Sequence, residues 1–354
     1  MQIISSKSKI IIDPSLEGPL KASLSHLAPH KIFIVADSNT KKYCYPLVSK
    51  LLKHQNVYVK IIGQGESSKN INTVKIIWDF LQENKCDRND LLINLGGGMI
   101  LDIGGFAAST FKRGIQYINI PTTLLSMVDA SVGGKVGFNF NDYKNHIGLF
   151  SQPAYVIINS VFLSTLDRRQ LYSGWAEMIK HGIIHSEAHL ENLITRTPEE
   201  IDTDTMNKLI GESVHIKNHF VEKDPFENNI RKALNFGHTI GHALESYSFK
   251  NSEVLHGEAV AAGMICELYL SGKFTGLSGQ KEKKIQNYLT KHYPFIQITN
   301  DMLDDIVNYM RHDKKNIEGK INFVLIKSPG SYSIDNFIDI ESIKESLNYY
   351  SSLA

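Results

Sequence analysis

The sequence predicts an α/β protein in two parts: an N-terminal domain with a mostly parallel sheet and a C-terminal domain that is mainly α-helical. The first 160 residues alternate short β-rich runs with helix-like segments, whereas residues 164–350 are mostly helical in pattern. A triple-glycine turn follows the third β-rich run. Because repeated strand–helix–strand units form parallel sheets covered on both faces, we expect ligands at the carboxyl ends of the strands.

Five strands are predicted in the N-terminal part, over residues 31–36, 57–62, 91–95, 117–121 and 154–158. Apolar residues at helical spacing predict helices over 40–54 and 70–83. The C-terminal part has one strand-like run, 321–326, and candidate helix caps at Ser164, Thr203, Ser252 and Ser278. We therefore expect domains at 1–160 and 161–354, with a cleft between them.

Composition excludes several classes of protein. Hydrophobic residues make up 42% of the 354 residues and charged residues 21%, which is incompatible with a mainly disordered chain. The 38 Lys and Arg against 37 Asp and Glu leave no basic excess for nucleic acid or an anionic membrane. The 3 cysteines are far apart and no N-terminal run resembles a signal peptide, so we expect a cytoplasmic protein.

The first glycine-rich segment is the turn Gly96-Gly97-Gly98, which lies between a predicted strand and a predicted helix. Glycines let a backbone approach a pyrophosphate, and a helix N-terminus supplies free N–H groups. Leu101 holds the third glycine position of the dinucleotide fingerprint, so a tight structural turn remains the alternative. Asp37, which follows the first strand, could accept a hydrogen bond from a ribose hydroxyl. The alternative is that it only caps a helix or forms a turn.

The second glycine-rich segment, residues 121–137, contains Thr122, Thr123, Asp129 and a Gly-Gly-Lys run that ends at Lys135. Its spacing does not satisfy the phosphate-binding P-loop pattern, because Asp129 occupies the position of the first glycine. We expect Lys135 to meet a phosphate in another setting. The alternative is a solvated lysine beside a flexible loop.

Three histidines and one glutamate predict a divalent metal site. His238 and His242 are four residues apart on one helix face, and His256 opens the next helical segment. Glu177 lies on an otherwise apolar helix, three residues before Lys180, where a carboxylate is costly to bury unless it is paired or metal-bound. Two histidines and a glutamate with an open position are typical of catalytic zinc. Structural histidines are the alternative.

Taken together, these segments resemble the 3-dehydroquinate synthase family of sugar-phosphate cyclases over nearly the whole chain. The resemblance depends on GGGMILDIGGFAA, FKRG, NIPTTLLSMVDASVGGKVGFN, KNHIGLFSQP, GWAEMIKHG, ALNFGHTIGHALE, LHGEAVAAGM and DKKN. Several long motifs in order are far more specific than any one of them. Val136 and Tyr143 depart from the family's usual Thr and Gly and leave the chemical residues intact.

The resemblance implies an N-terminal Rossmann-like domain, a C-terminal helical domain, an active site in the cleft between them, and a homodimer. It implies a small-molecule substrate, the sugar-acid phosphate 3-deoxy-D-arabino-heptulosonate 7-phosphate, which is converted to 3-dehydroquinate and phosphate in the shikimate pathway. The steps would be transient oxidation by NAD, phosphate elimination, re-reduction and intramolecular aldol cyclisation. The implied cofactors are NAD and one divalent zinc or cobalt ion.

The resemblance also assigns site residues. The implied metal ligands are Glu177, His238 and His256. The implied catalytic residues are Lys135, Asn145, Lys180, His242, Arg113 and Asp129, and the implied substrate-binding residues are Lys217, Arg231, Asn235 and Lys314, with Lys315 as an alternative to the last. The implied NAD contacts are Asp37, Glu66, Lys69, Gly97, Gly98, Asp102, Thr122, Thr123, Asp129, Lys135, Lys144 and Thr165.

Other functions compete with this interpretation. One is a cyclase that makes a different carbocycle, and another is a metal-dependent polyol or glycerol-phosphate dehydrogenase. A non-catalytic nucleotide-binding or interaction protein is disfavoured because Glu177, His238, His256 and Lys135 are all present. Recognition of a substrate carboxylate would favour the 3-dehydroquinate synthase interpretation over a cyclase that makes a different carbocycle. Arg231 and Asn235 would share a helical face for that task if their helix begins early enough.

Overall fold

The computed structural model describes residues 1–5, 8–141, 143–248, 254–311 and 321–354. Its strands are β1 (Gln2–Ser5), β2 (Ser8–Ile12), β3 (Ile32–Ala36), β4 (Val57–Ile61), β5 (Leu91–Gly96), β6 (Gln116–Pro121), β7 (Lys135–Phe140), β8 (Tyr143–Phe150), β9 (Tyr155–Ile158), β10 (Ile321–Ser328) and β11 (Ser331–Ile338).

Its α-helices are α1 (Glu17–Leu27), α2 (Ser38–Tyr43), α3 (Tyr45–Leu51), α4 (Ile71–Glu83), α5 (Gly98–Thr110), α6 (Arg168–His185), α7 (Glu187–Ile194), α8 (Thr203–Lys223), α9 (His238–Ser248), α10 (His256–Thr275), α11 (Gly279–His292), α12 (Leu303–Arg311) and α13 (Ile340–Ser351). Short 3-10 segments include Phe111–Arg113, Ser160–Thr165 and Ile230–Asn235, and Ser126–Ala130 forms one π-helical turn.

Seven strands form one sheet in the order β1-β2-β9-β6-β5-β3-β4. All neighbours are parallel except β1 and β2, which pair antiparallel at one edge. The five predicted strands are confirmed as β3, β4, β5, β6 and β9. Every residue of β3 is buried, as expected for a strand that is covered on both faces. The hairpin β1–β2 was not predicted.

Chain contacts divide the protein into two units, one of Met1–Asp167 with Asp202–Asn218 and one of Arg168–Ile201 with His219–Ala354. The first contains the seven-stranded sheet and the second is mainly helical, so the predicted fold class is confirmed. In the second unit α10 is buried along most of its length and contacts α6, α9, α11 and α13. The hairpin β10–β11 also packs there, and of its two strands only β10 was predicted.

Some helix boundaries differ from the prediction. The helix expected over 40–54 is two helices, α2 and α3, and Pro46 lies in the first turn of the second, where its missing N–H is tolerated. Ser164 lies inside a 3-10 segment, and Asp202 rather than Thr203 accepts the Thr205 N–H, at 2.9 Å. Ser278 precedes α11 without a side-chain capping bond, and Ser252 lies outside the described residues.

The three cysteines, Cys44, Cys86 and Cys266, are buried thiols without disulfides. Burial raises the pKa of Cys44 to about 11, with a further contribution from Asp37, and that of Cys86 to about 12. Burial also raises the pKa of Cys266. Among the described residues, no helix combines the length and the apolar composition that crossing a membrane requires.

Helices α9 and α10 approach each other closely through glycines. A Cβ at Gly263 would lie 2.0 Å from the carbonyl oxygen of Gly237, and one at Gly241 would lie 3.0 Å from that of Ala259. Gly237 itself has φ +78°, a conformation that favours glycine. These contacts fix the separation of the two helices whose first residues are His238 and His256.

We expect Gly263→Ala to lower the free energy of unfolding by roughly 1–3 kcal/mol, because the added methyl group overpacks a backbone contact. Chemical denaturation measures the change. Gly279→Ala is the control, since a Cβ there meets nothing within 4 Å. Equal stability of the two variants would show that the α9–α10 contact can relax without cost.

Candidate functional site

The carboxylate of Glu177 is fully buried on α6, and its neighbours define the candidate metal centre of the second unit. The Nζ of Lys180, one helical turn later, lies 2.5 Å from Glu177 Oε2 and also donates to the Leu234 carbonyl at 2.8 Å. The i,i+3 spacing seen in the sequence therefore produces a buried ion pair. Lys180 supplies the positive charge that a buried carboxylate needs.

Two histidines face the other oxygen of this carboxylate. The Nε2 of His238 lies 3.3 Å from Glu177 Oε1, and the Nε2 of His256 lies 3.2 Å from the same atom. One ligand atom from each of the three residues lies within 4.8 Å of the others, a spacing that could hold one metal ion. Two histidines and a glutamate are a donor set that zinc accepts while leaving positions open.

The first residues of α9 and α10 supply these two imidazoles. The Nδ1 of His238 lies 3.0 Å from the Phe236 carbonyl oxygen, which can only accept, and a proton on Nδ1 would leave the Nε2 lone pair for a metal ion. His242 follows one turn later, and its ring lies 5.0 Å from that of His238. The predicted i,i+4 arrangement is thus present, with His238 directed at the glutamate.

Burial and neighbouring charges shift the pKa values of the three candidate metal ligands. Burial would raise the pKa of Glu177, but Lys180 and His238 together hold that pKa well below the usual range. Burial lowers the pKa of His238, and the charge of Lys180 lowers it further. Burial lowers the pKa of His256, but hydrogen bonds to Glu177 and Glu245 outweigh burial and raise this pKa to about 10. A metal ion at this site would displace a proton from His256.

Glu245 is a site residue that sequence reasoning missed. Its Oε2 lies 3.4 Å from His256 Nδ1, on the side of the ring opposite Glu177. The signal was available: Glu245 follows His238 by seven residues, and therefore returns to the same face of α9. A carboxylate behind a metal-binding histidine fixes the orientation and the tautomer of the ring.

The predicted helical pairing of Arg231 with Asn235 is wrong. Helix α9 begins only at His238, and both residues lie in the 3-10 segment Ile230–Asn235, where residues four apart point about 120° away from each other. Buried Arg231 donates from Nη1 to the Pro225 carbonyl at 2.6 Å. Asn235 donates to Glu227 at 2.7 Å, and Glu227 is a second residue that sequence reasoning missed.

In the first unit the triple-glycine turn joins β5 to α5, as predicted. Gly97 is the residue before the helix, and Thr122, after β6, donates its N–H to the Gly96 carbonyl at 3.0 Å. A Cβ at Gly97 would lie 3.3 Å from Thr123 Cγ2, and one at Gly98 would lie 3.3 Å from the Ala130 Cβ. The turn is therefore a narrow cradle at a helix N-terminus, which suits a pyrophosphate.

Other candidate NAD contacts lie at the carboxyl ends of neighbouring strands. Asp37 follows β3 and caps α2, with Oδ1 accepting the Thr40 N–H at 2.8 Å, so the cap alternative holds for that oxygen. Lys69 is buried, and its Nζ lies 2.6 Å from Asp102 Oδ2. Burial raises the pKa of Asp102 even though Lys69 opposes the rise.

Several predicted residues meet within the first unit. Lys69 Nζ donates to Asn145 Oδ1 at 2.6 Å, and Lys217 Nζ lies 2.5 Å from Asp129 Oδ1. Lys135 and Lys144 are exposed on the hairpin β7–β8, and Thr165 is exposed at the end of its 3-10 segment.

Arg113 is not brought to this edge of the sheet. It follows the carboxyl end of α5, a helix of 13 residues and hence about 20 Å long, whereas the glycine turn precedes its other end. Its substrate role stays a prediction. Lys314 and its alternative Lys315 lie outside the described residues.

Comparison with known proteins adds the family. The sequence pattern of the 3-dehydroquinate synthase N-terminal family matches residues 59–173, and that of the C-terminal family matches residues 174–316. A 3-dehydroquinate synthase of Parabacteroides distasonis is 46% identical over 346 residues, covering 98% of each chain. The chain belongs to the 3-dehydroquinate synthase family. It is an enzyme of that type.

Other relatives extend this picture. A 3-dehydroquinate synthase of Endomicrobium trichonymphae is 38% identical and covers 95% of this chain and 96% of its own. Among solved structures, a 2-epi-5-epi-valiolone synthase from Streptomyces hygroscopicus with NAD+ and Zn2+ bound has a TM-score of 0.88 at 23% identity, covering 99% of both chains. A 2-deoxy-scyllo-inosose synthase with carbaglucose-6-phosphate, NAD+ and Co2+ has a TM-score of 0.84 at 22% identity, again covering 99% of both. These structures establish the shared fold.

For this member of the 3-dehydroquinate synthase family we expect Glu245→Gln to weaken divalent-metal binding by about 10- to 100-fold, because the amide holds His256 less firmly than a carboxylate does. Competition with a chromophoric chelator measures the affinity of the metal-free protein. Glu177→Gln removes a ligand and should weaken binding more. Wild-type affinity in the Glu245 variant would exclude an orienting role for that residue.

We expect Gly97→Val to weaken NAD binding by more than tenfold, because the side chain meets Thr123 and fills the cradle. Calorimetric titration with NAD measures the affinity, and chelator competition on the same variant should give wild-type metal affinity. An unchanged NAD affinity would show that the turn is only structural.

Proposed function

We propose that this chain converts 3-deoxy-D-arabino-heptulosonate 7-phosphate to 3-dehydroquinate and phosphate, a step of the shikimate pathway. The observation that carries the proposal is the buried Glu177 carboxylate, which faces His238 and His256 on one side and Lys180 on the other. This arrangement occurs in a chain that matches both halves of the family pattern. A merely structural role would not need four ionisable groups at one buried point.

We further propose that the enzyme uses NAD and one divalent zinc or cobalt ion. Glu177, His238 and His256 would hold the metal, and the Gly97–Gly98 turn with Asp37, Glu66, Lys69, Asp102, Thr122, Thr123, Asp129, Lys135, Lys144 and Thr165 would contact the dinucleotide. When bound, these groups supply Lewis acidity and a reversible hydride acceptor. The converging donor atoms and the narrow glycine cradle support both assignments. We assign NAD binding to residues 1–160, and metal and substrate binding to residues 161–354.

The residues of the chain itself have distinct tasks in this proposal. Lys180 keeps Glu177 ionised, and its ammonium can also bind a substrate oxygen. Lys135, Asn145 and His242 would bind the phosphate group, placing hydrogen-bond donors where negative charge accumulates as the group leaves. Because cyclisation is intramolecular, the remaining task is to hold the opened sugar in a folded conformation.

Recognition of the substrate carboxylate falls to Lys217, Arg231 and Asn235, and Lys314 is a further substrate contact that lies outside the described residues. The Arg231 guanidinium is buried, and one of its nitrogens is fixed by the Pro225 carbonyl, which pre-orients the group. Lys217 is buried beside Asp129, which fixes its ammonium. A pre-oriented guanidinium binds a carboxylate through two parallel hydrogen bonds. We assign Arg113 to the same substrate.

The proposal extends to the cellular setting. We propose a cytoplasmic homodimer that acts on a small-molecule sugar-acid phosphate. The formal net charge of +1 supports the proposal that neither nucleic acid nor a membrane surface takes part.

Two alternatives remain as outcomes of the test. The structural similarity to cyclases that make other carbocycles favours the first, a different sugar-phosphate cyclase. The second is a metal-dependent dehydrogenase, since an iron-containing alcohol dehydrogenase has a TM-score of 0.69 at 13% identity. Both share the fold, and the reaction products distinguish them.

We expect many phosphates to be released per NAD when the metal-loaded enzyme is incubated with the heptulosonate phosphate and substoichiometric NAD. The physical reason is that NAD is regenerated in each cycle. A colorimetric phosphate assay and the absorbance of NADH follow the two products. Stoichiometric accumulation of NADH would identify a dehydrogenase. Equal turnover of a sugar phosphate without the carboxylate would identify another cyclase.

A further inference from the structure

The hairpin β7–β8 contains a bulge that carries two of the proposed ligand-binding residues. Phe138 pairs with Ile147 and Phe140 pairs with Tyr143, so a single residue of β7, Asn139, faces three residues of β8. Those three are Lys144, Asn145 and His146. Asn145 has φ +54°, in the left-handed region that some bulges use. Bulges commonly redirect side chains beside active sites.

Asn139 compensates for the interrupted ladder with its own amide group. Its Oδ1 accepts the backbone N–H of Asn145 at 2.9 Å, and its Nδ2 donates to Glu66 Oε1 at 2.7 Å. Its backbone N–H donates to the Lys69 carbonyl at 2.8 Å. One half-buried asparagine is therefore bonded at three points to two segments of the first unit, residues 66–69 and the strand β8.

These bonds close a ring. Lys69 binds the side chain of Asn145, Asn145 binds the side chain of Asn139, and Asn139 binds the backbone of Lys69. The ring extends to Asp102 through Lys69 and to Glu66 through Asn139. A network with all its members hydrogen-bonded has one preferred geometry, and the loss of one member leaves the others without partners.

We propose that Asn139 is a positioning residue, which holds Asn145 in its left-handed conformation through Oδ1 and holds Glu66 through Nδ2. Its two amide atoms would thereby connect the phosphate-binding bulge with the dinucleotide site. This inference rests on the proposed function, which assigns Asn145 to the phosphate and Glu66 to NAD. An amide fits both tasks, because its oxygen accepts from the Asn145 N–H and its nitrogen donates to the Glu66 carboxylate.

The test separates the two atoms of the amide. Asn139→Ala removes both bonds, so we expect NAD affinity and kcat/KM for phosphate release at saturating NAD each to fall by about tenfold. Asn139→Asp keeps an acceptor for the Asn145 N–H but places a second carboxylate against Glu66. We expect this variant to lose NAD affinity at least as strongly, while its kcat/KM at saturating NAD stays within about threefold of wild type.

The control is Asn72→Ala, which removes an exposed asparagine on α4 of the same unit. Calorimetric titration gives the NAD affinity without turnover, and thermal unfolding reports stability for all variants. A lower melting temperature in Asn139→Ala with both functional parameters within twofold of wild type would overturn the proposal. So would equal losses of kcat/KM in the Ala and Asp variants. Absence of phosphate release by wild type would instead refute the proposed function, and the NAD titrations would still decide the contact with Glu66.

Discussion

A fully buried carboxylate, that of Glu177, dictates the arrangement of the second unit. An ionised group without water is stable only if opposite charge and hydrogen bonds surround it. Lys180 supplies the charge from the same helix, and the first residues of α9 and α10 supply the imidazoles. For both imidazoles to reach one oxygen, the two helices must start close together, and the contact between Gly263 and Gly237 permits this. The buried carboxylate and the glycine contact therefore both require that α9 and α10 begin close together.

Local patterns predicted the parts of the structure that depend on neighbouring residues. The five parallel strands, the glycine turn before α5 and the i,i+3 pair of Glu177 and Lys180 all follow from spacing along the chain. The chemistry of Glu177 and of the three histidines at 238, 242 and 256 predicted a candidate metal centre, and the family resemblance selected Glu177, His238 and His256 from these four residues. The family patterns match residues 59–316, and this range includes most of the site residues that the resemblance assigned.

Features that depend on distant contacts were not predicted. Glu245 was missed although its spacing from His238 was visible, because its partner His256 lies on a different helix. Glu227 was missed because its contact with Asn235 joins two segments outside the α-helices. The pairing of Arg231 with Asn235 failed because both residues lie in a 3-10 segment, whose period differs from that of an α-helix. The bulge opposite Asn139 depends on the register between two strands, which a sequence pattern of period two does not specify.

The burial of the three thiols affects how fast oxidants can damage the enzyme. Peroxide and electrophiles attack the thiolate, and burial both raises the pKa of these sulfur atoms and keeps reagents away from them. Cys44 and Cys86 pack in the first unit and Cys266 in the second. Oxidative damage at each of them must therefore wait for local opening of the surrounding structure. The rate at which each cysteine is oxidised would therefore measure how often its unit opens locally, whether or not the enzyme is catalysing its reaction.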